Sequence, residues 1–280
     1  MLSSTSSGPN QDQKHTSPTE GPSGSADHLA DLAVAAFTRE VFLTPKPGLP
    51  DCRTAQSPAN TVFASLVDAG VGLHGSFRDA AAAGADLGRL AAACDDAQRQ
   101  GPYVASLNGL DVAARSLCLL SAAWTQGARD AGHACRVALE LDAHIEPSGD
   151  FRDGYRALPT GAKRRHLTTA LAVLPKLRSA RSRGIAEEVA QLDALLTLIA
   201  SVDDVRVEQD RGPLAVRLIQ QDAAAVLAAG GSGTDEGRRL LSELDEETVR
   251  YGICPAASGA LLTVLLFLDS VDEHPLPVAA

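Results

Sequence analysis

Aromatic residues are scarce in this chain: six Phe, three Tyr and one Trp make up 4% of 280 residues. Its core must come instead from Ala, Leu and Val, within a hydrophobic fraction of 45%. Ala and Leu are strong helix formers, and such a composition suits close-packed helices. No stretch alternates apolar and polar residues for long enough to make a convincing strand. Paired cysteines are also missing. Cys52, Cys94, Cys118, Cys135 and Cys254 form no CxxC motif, which excludes the usual zinc and redox signatures. An odd count without a framework points to reduced thiols and a cytoplasmic protein. The longest apolar run, Ala256 to Leu268, is broken by Ser258, Gly259 and Thr263 and is too short to span a bilayer. Residues 1–25 hold no apolar core of a signal peptide. Basic clusters are few, with a net charge of −10 and a pI near 5.1. That argues against a nucleic-acid or anionic-membrane surface. It leaves room for a nucleotide held by one local basic pocket.

What is present reads as helix. Residues 1–25 are rich in Ser, Thr, Pro, Gly and Gln, and such a segment cannot bury enough surface to offset its ordering entropy. A disordered tail is expected there, one all-α domain of many helices over 26–274, and a short C-terminal tail over 275–280. Val189, Leu192, Leu195, Leu196 and Ile199 recur at helical spacing. Pro213 opens another helix and Gly230-Gly231 follow its end. Thr234, followed by Asp235 and Glu236, reads as an N-cap with acids in the first turn. The Gly/Ala-rich stretch 69–88 is also expected to be helical. The histidines show no HxxxH or HxxE pairing for zinc. Gly230 to Gly233 resemble a phosphate loop in composition alone, because they follow a helix and no lysine comes after them.

Chemistry is suggested most strongly by Thr44-Pro45-Lys46-Pro47-Gly48-Leu49-Pro50-Asp51. The two prolines around Lys46 fix φ and push the preceding residues toward extended geometry. Gly48 permits a sharp change of direction. Two readings are open: a breaker-rich connector between helices, or a stiff mount that presents Lys46 to a phosphate.

Together with Glu40, this segment resembles the opening motif of the triphosphoribosyl-dephospho-CoA synthases, most closely the branch attached to malonate decarboxylase. Weaker matches continue from about Leu29 to about Val271. They include Leu174 to Leu177, Gln191 to Leu196, Ala225 to Gly231, Leu244-Asp245, and Pro255 through Ser258 to Leu261-Leu262 and Phe267-Leu268. The resemblance implies an all-helical transferase. It would join ATP to 3′-dephospho-CoA, release adenine and make the precursor of the malonate decarboxylase prosthetic group. Mg²⁺ is the implied cofactor, ATP and 3′-dephospho-CoA the partners, and a homodimer a further expectation. The implied catalytic residues are Asp51 and Asp203. The implied substrate-binding residues are Lys46, Asn108 and Ser258, and all five are expected to approach one another.

Several polar positions of the family pattern are altered. Pro58 and Asn60 stand where a histidine and an aspartate are usual. Gly109 to Val112 follow Asn108 where Thr, His, a basic residue and Gly are usual, so Asp111 reverses a charge. Tyr155 matches a loop motif whose Gly/Arg/Glu order is lost, although Arg156, Lys163, Arg164 and Arg165 keep that region basic. Gln209 falls at an arginine position, with Arg211 close by. Ala256, Ala257 and Ala260 replace two glycines and an aspartate. Apolar positions persist while site positions are neutralised. The alternative expectation is therefore an impaired or inactive homologue that binds a nucleotide or CoA-like ligand, or regulates. It would show weak ATP binding and adenine release near background.

Overall fold

The structure, a computed structural model, describes residues 22–53, 60–99, 109–145 and 160–274. Among these residues there are twelve α-helices and no strand. In chain order they are α1 (Pro22–Phe42), α2 (Asn60–Gly72), α3 (His74–Ala83), α4 (Leu87–Arg99), α5 (Leu110–Thr125) and α6 (Ala131–His144). There follow α7 (Thr160–Ser182), α8 (Glu187–Ser201), α9 (Val205–Arg211), α10 (Pro213–Ala228), α11 (Asp235–Tyr251) and α12 (Ala256–Glu273). The expected all-α class is the observed one. The tail boundary needs correction: α1 already begins at Pro22, because proline is preorganised for the first helical position. Residues 1–21 and 275–280 lie outside the described residues.

Local chemistry sets many of the helix ends. Pro213 occupies the first turn of α10. Thr234 accepts a hydrogen bond from the Gly237 N–H and caps α11. Asp130 does the same for α6, accepting from the His133 N–H at 2.7 Å. The Gly/Ala-rich stretch is helical but interrupted, by Leu73 between α2 and α3 and by Gly84 after α3. In α8 the expected stripe faces the core: Leu192, Leu195, Leu196 and Ile199 are buried.

The centre of the domain is α12. Every residue from Ala256 to Val271 except Ala257 is buried. A helix apolar on all sides belongs in a core or a membrane. Here α12 packs against α1, α5, α7 and α8, and no described helix is long and apolar enough to cross a membrane. Its one deeply buried charge is Asp269, with 0% exposure. Arg178 donates to it through Nε at 2.8 Å, and Arg181 through Nη1. Arg178 also holds Asp272 at 2.9 Å and Arg181 holds Glu187 at 2.6 Å, so the pair ties α12 to α7 and α8. Close helix contacts elsewhere depend on alanine: Ala30, Ala33 and Ala36 of α1 are fully buried.

Leu265, 0% exposed near the middle of α12, tests this packing. Leu265→Ala should cost about 2–5 kcal/mol, read as a lower urea midpoint at unchanged slope. A loss under about 1 kcal/mol would mean that α12 is not closely packed around that side chain.

Candidate active site at the start of helix α12

Four segments far apart in sequence meet at the first turns of α12. The loop after α1 is the first. Lys46 is only 2% exposed, and its Nζ donates to the Glu40 carbonyl at 2.8 Å and to Glu40 Oε1 at 2.7 Å. It is neither solvent-directed nor mounted on a simple connector: it closes a buried ion pair with the last turn of α1. Gly48 has φ +67°, and an added Cβ would collide with the Ile253 carbonyl oxygen just before α12. Only glycine fits a left-handed turn pressed against a backbone. Leu49 and Glu40 then lie beside Gly259 of α12.

Asp51 is 2% exposed and closes the loop on itself. Its carboxylate accepts the Lys46 N–H at 3.1 Å and the Arg53 N–H at 2.9 Å. Arg53 adds two side-chain donors at 3.0 and 2.7 Å, then reaches Asp245 of α11 at 2.8 Å. Burial pushes the Asp51 carboxyl up, but the hydrogen bonds from Arg53 and from the Lys46 and Arg53 backbone outweigh it, and the net shift is downward. Asp245 shifts the other way. Burial dominates there and the Arg53 charge only partly offsets it.

The second segment is the turn between α8 and α9. Its buried acid is Asp204, not Asp203. Asp204 is 2% exposed and caps α9 through the Arg206 and Val207 N–H groups at 3.0 and 3.2 Å. Its other oxygen accepts the Ala257 N–H at 2.9 Å, at the start of α12. Burial raises its pKa despite these three donors. The third segment is Gly109, at φ +70°, where a Cβ would meet the Ala256 carbonyl and the Ala260 methyl. The fourth is Pro255 to Ala260 itself, with Ser258 1% exposed. Cys254 sits among these charges. Desolvation pushes its thiol up to about 12, Asp204 and Glu40 adding to the effect and Arg206 and Lys46 opposing it. It is a protonated thiol at neutral pH, not a nucleophile.

Of the residues picked out from sequence, Lys46 and Asp51 share a hydrogen bond. Ser258 lies in the α12 turn against which their loop packs. Asp203 lines a cavity that Lys46, Asp51 and Ser258 do not line. Asn108, Pro58, Tyr155 and Arg156 lie outside the described residues. Gln209 is exposed on α9, while the nearby Arg211 donates to the Gly252 carbonyl at 3.2 Å. Sequence reading missed Asp204. Either acid of the Asp-Asp pair could cap the following helix, so no local signal separates Asp204 from Asp203.

The arrangement is rich in carboxylates. Glu40, Asp51 and Asp204 are all buried near the α12 start, Glu40 paired with Lys46 and Asp51 with Arg53. A preorganised carboxylate held by backbone N–H groups, as Asp204 is, can stabilise positive charge that develops beside it.

The scaffold is all-helical with buried acids at the start of α12, and its relatives narrow the reading. The model of a family described as ATP:dephospho-CoA triphosphoribosyl transferase matches residues 164–277. A relative from Pseudomonas putida is 34% identical over 272 residues, covering 89% of this chain and 96% of its own. A second, from Pseudomonas paraeruginosa, is 34% identical over 263 residues, covering 86% and 89%. A third, from Pseudomonas fluorescens Pf-5, is 31% identical over 269 residues, covering 89% and 92%. Each carries the name "Probable 2-(5''-triphosphoribosyl)-3'-dephosphocoenzyme-A synthase". The chain belongs to the triphosphoribosyl-dephospho-CoA synthase family. No solved structure matches it significantly.

Two substitutions test the knot around Lys46. Lys46→Met leaves Glu40 buried without its cation and should cost about 3–5 kcal/mol by urea unfolding, with much of the loss recovered in Lys46→Met/Glu40→Leu. A single variant as stable as the parent would refute the buried pair. Asp51→Asn should cost about 1–3 kcal/mol at neutral pH, toward the low end because Arg53 is half-exposed. The folded carboxyl titrates below its ordinary value of 3.8. Its contribution is therefore complete above that pH and is lost as pH falls through the depressed value. The stability gap between parent and variant should be flat above about pH 5 and close in strong acid. A gap that widens in acid would reverse the assigned sign.

Proposed function

We propose that this chain transfers the triphosphoribosyl group of ATP to 3′-dephospho-CoA. In that reaction a ribose hydroxyl of dephospho-CoA forms a bond to the anomeric carbon of ATP. The C–N bond to adenine breaks, and adenine leaves with the bonding pair. The hydroxyl proton passes to a base, and the triphosphate stays on the product. The product would be the precursor of the malonate decarboxylase prosthetic group, made in the cytoplasm. The observation that carries this reading is the meeting of the segments 40–53, Gly109, Asp204 and 255–260 around one carboxylate-rich layer. Bond cleavage to adenine builds positive charge on the ribose, which such a layer favours.

Mg²⁺ fits the reading as an ion that arrives with the triphosphate. Among the described residues no three His, Cys, Asp or Glu side chains cluster as a metal site. Mg²⁺ needs only one or two protein carboxylates when phosphates supply other ligands. Asp203 and Glu208, on one cavity wall, could be those carboxylates. The ion would neutralise phosphate charge.

A second reading, a nucleotide- or CoA-binding homologue with little turnover, is favoured by one feature. Where the family has an aspartate, Ala260 packs against Gly109 with only a methyl. Asp204 brings a carboxylate to the same end of α12, which keeps the transferase reading first.

Purified protein incubated with ATP, Mg²⁺ and dephospho-CoA should release adenine, dependent on dephospho-CoA and slower than about 1 s⁻¹. ATP binding without adenine release would move the protein to the second reading. Asp204→Asn should lower the adenine rate by about ten- to a hundredfold, if one charge-assisted contact is lost in the transition state. An unchanged rate would remove Asp204 from the reaction.

A further inference from the structure

The α8–α9 turn sends its two aspartates to different places. Asp204 enters the α12 layer, whereas Asp203 is exposed on a cavity of about 630 Å³. That cavity lies between α7, the α8–α9 turn and α10. Arg164, Arg165 and Arg217 line it with exposed guanidinium groups. Among the described residues none of the three is engaged by a carboxylate. Arg53, Arg178 and Arg181, by contrast, are each paired with carboxylates. Lys163, beside them on α7, is itself held by Asp142 at 2.7 Å. Three unpaired guanidinium groups outnumber the two carboxylates on this concave space, Asp203 and Glu208, and attract a polyanion.

His166 gives an independent sign of a ligand. It is 7% exposed, lines the cavity, and its Nδ1 is buried without a hydrogen-bond partner. A buried polar atom left unpaired is costly, so this imidazole on the cavity wall has a hydrogen bond still to make. The neighbouring polar groups are already engaged. Thr168 and Thr169 hydroxyls donate to the Arg164 and Arg165 carbonyls at 2.8 and 2.9 Å, and Gln220 donates to the Val202 carbonyl at 3.0 Å. The volume matches a small-molecule site.

We propose that this cavity holds the phosphoanhydride chain of a nucleotide substrate, with Arg164, Arg165 and Arg217 as counter-charges and His166 as a hydrogen-bonding wall. The triphosphate of ATP and the diphosphate of dephospho-CoA share this chemistry. The identity of the nucleotide rests on the transferase reading; the anion site does not. Burial and then the Arg165 charge hold the His166 pKa below its ordinary 6.5, and Asp203 opposes them. Arg164, Arg217 and Glu208 are the other charges on the cavity. A bound polyanion screens the arginines and pairs with the imidazolium, so it moves the His166 titration to higher pH.

The probe is inorganic tripolyphosphate, followed by calorimetry and by histidine proton resonances, with His166 assigned through its loss in His166→Gln. The full chain should bind it, and binding should shift the His166 titration upward. Arg165→Glu/Arg217→Glu should weaken binding at least about a hundredfold, and Arg217→Ala alone about tenfold. Both positions are exposed and unpaired, so the far-ultraviolet dichroism should not change. Competition by ATP alone assigns the site to the donor's triphosphate, and competition by dephospho-CoA alone assigns it to the acceptor's diphosphate. Absence of binding, or binding indifferent to the charge reversal, overturns the proposal. Adenine release with no tripolyphosphate binding would overturn the cavity and leave the transferase reading. Charge-dependent tripolyphosphate binding without adenine release would do the reverse.

Discussion

Helix α12 can be buried on every side only because its polar groups are answered at both ends. At its start the Ala257 N–H donates to Asp204. Near its finish Asp269 sits where the helix dipole disfavours an anion, and Arg178 and Arg181 neutralise it. Between these ends the helix offers side chains of Leu, Val, Phe and Ala to α1, α5, α7 and α8. Removing either anchor would leave a buried charge or an unpaired backbone donor in the densest part of the molecule, and both are costly. The rest of the domain is arranged around keeping this one helix dry.

The same constraint creates the site. Because the first turns of α12 are buried, whatever packs on them must bring its own hydrogen-bond partners. The Pro-Lys-Pro-Gly loop does this by turning inward. Lys46 satisfies Glu40, and Asp51 satisfies the backbone of the loop that carries it. Gly48 and Gly109 allow backbone to approach backbone without a side chain between them. The charges of this loop are the ones that make it foldable.

The helices themselves were largely legible in the residues. The stripe through Leu192 and Ile199, Pro213 at the start of α10 and the Thr234 cap are local signals, read over one or two turns. The opening motif was legible as well, because proline and glycine restrict the backbone wherever they stand. Less legible was which of two adjacent aspartates would be buried. Asp203 and Asp204 are neighbours in an extended turn, where successive side chains point to opposite sides, and the choice depends on where α12 arrives from more than fifty residues away. The partner of Lys46 was also out of reach, since nothing in a Pro-Lys-Pro run says that its cation will fold back onto Glu40.

By itself, the sequence determined an all-helical chain, the positions of several caps, and the presence of a stiff lysine-bearing loop that marks its family. Local backbone preference and apolar periodicity suffice for these. Only the tertiary structure decided that Lys46 is buried, that Asp204 rather than Asp203 reaches α12, and that Arg164, Arg165 and Arg217 open onto one cavity with His166. These are relations between residues on different helices. They depend on how the helices pack, because desolvation and pairing are properties of a neighbourhood rather than of a residue.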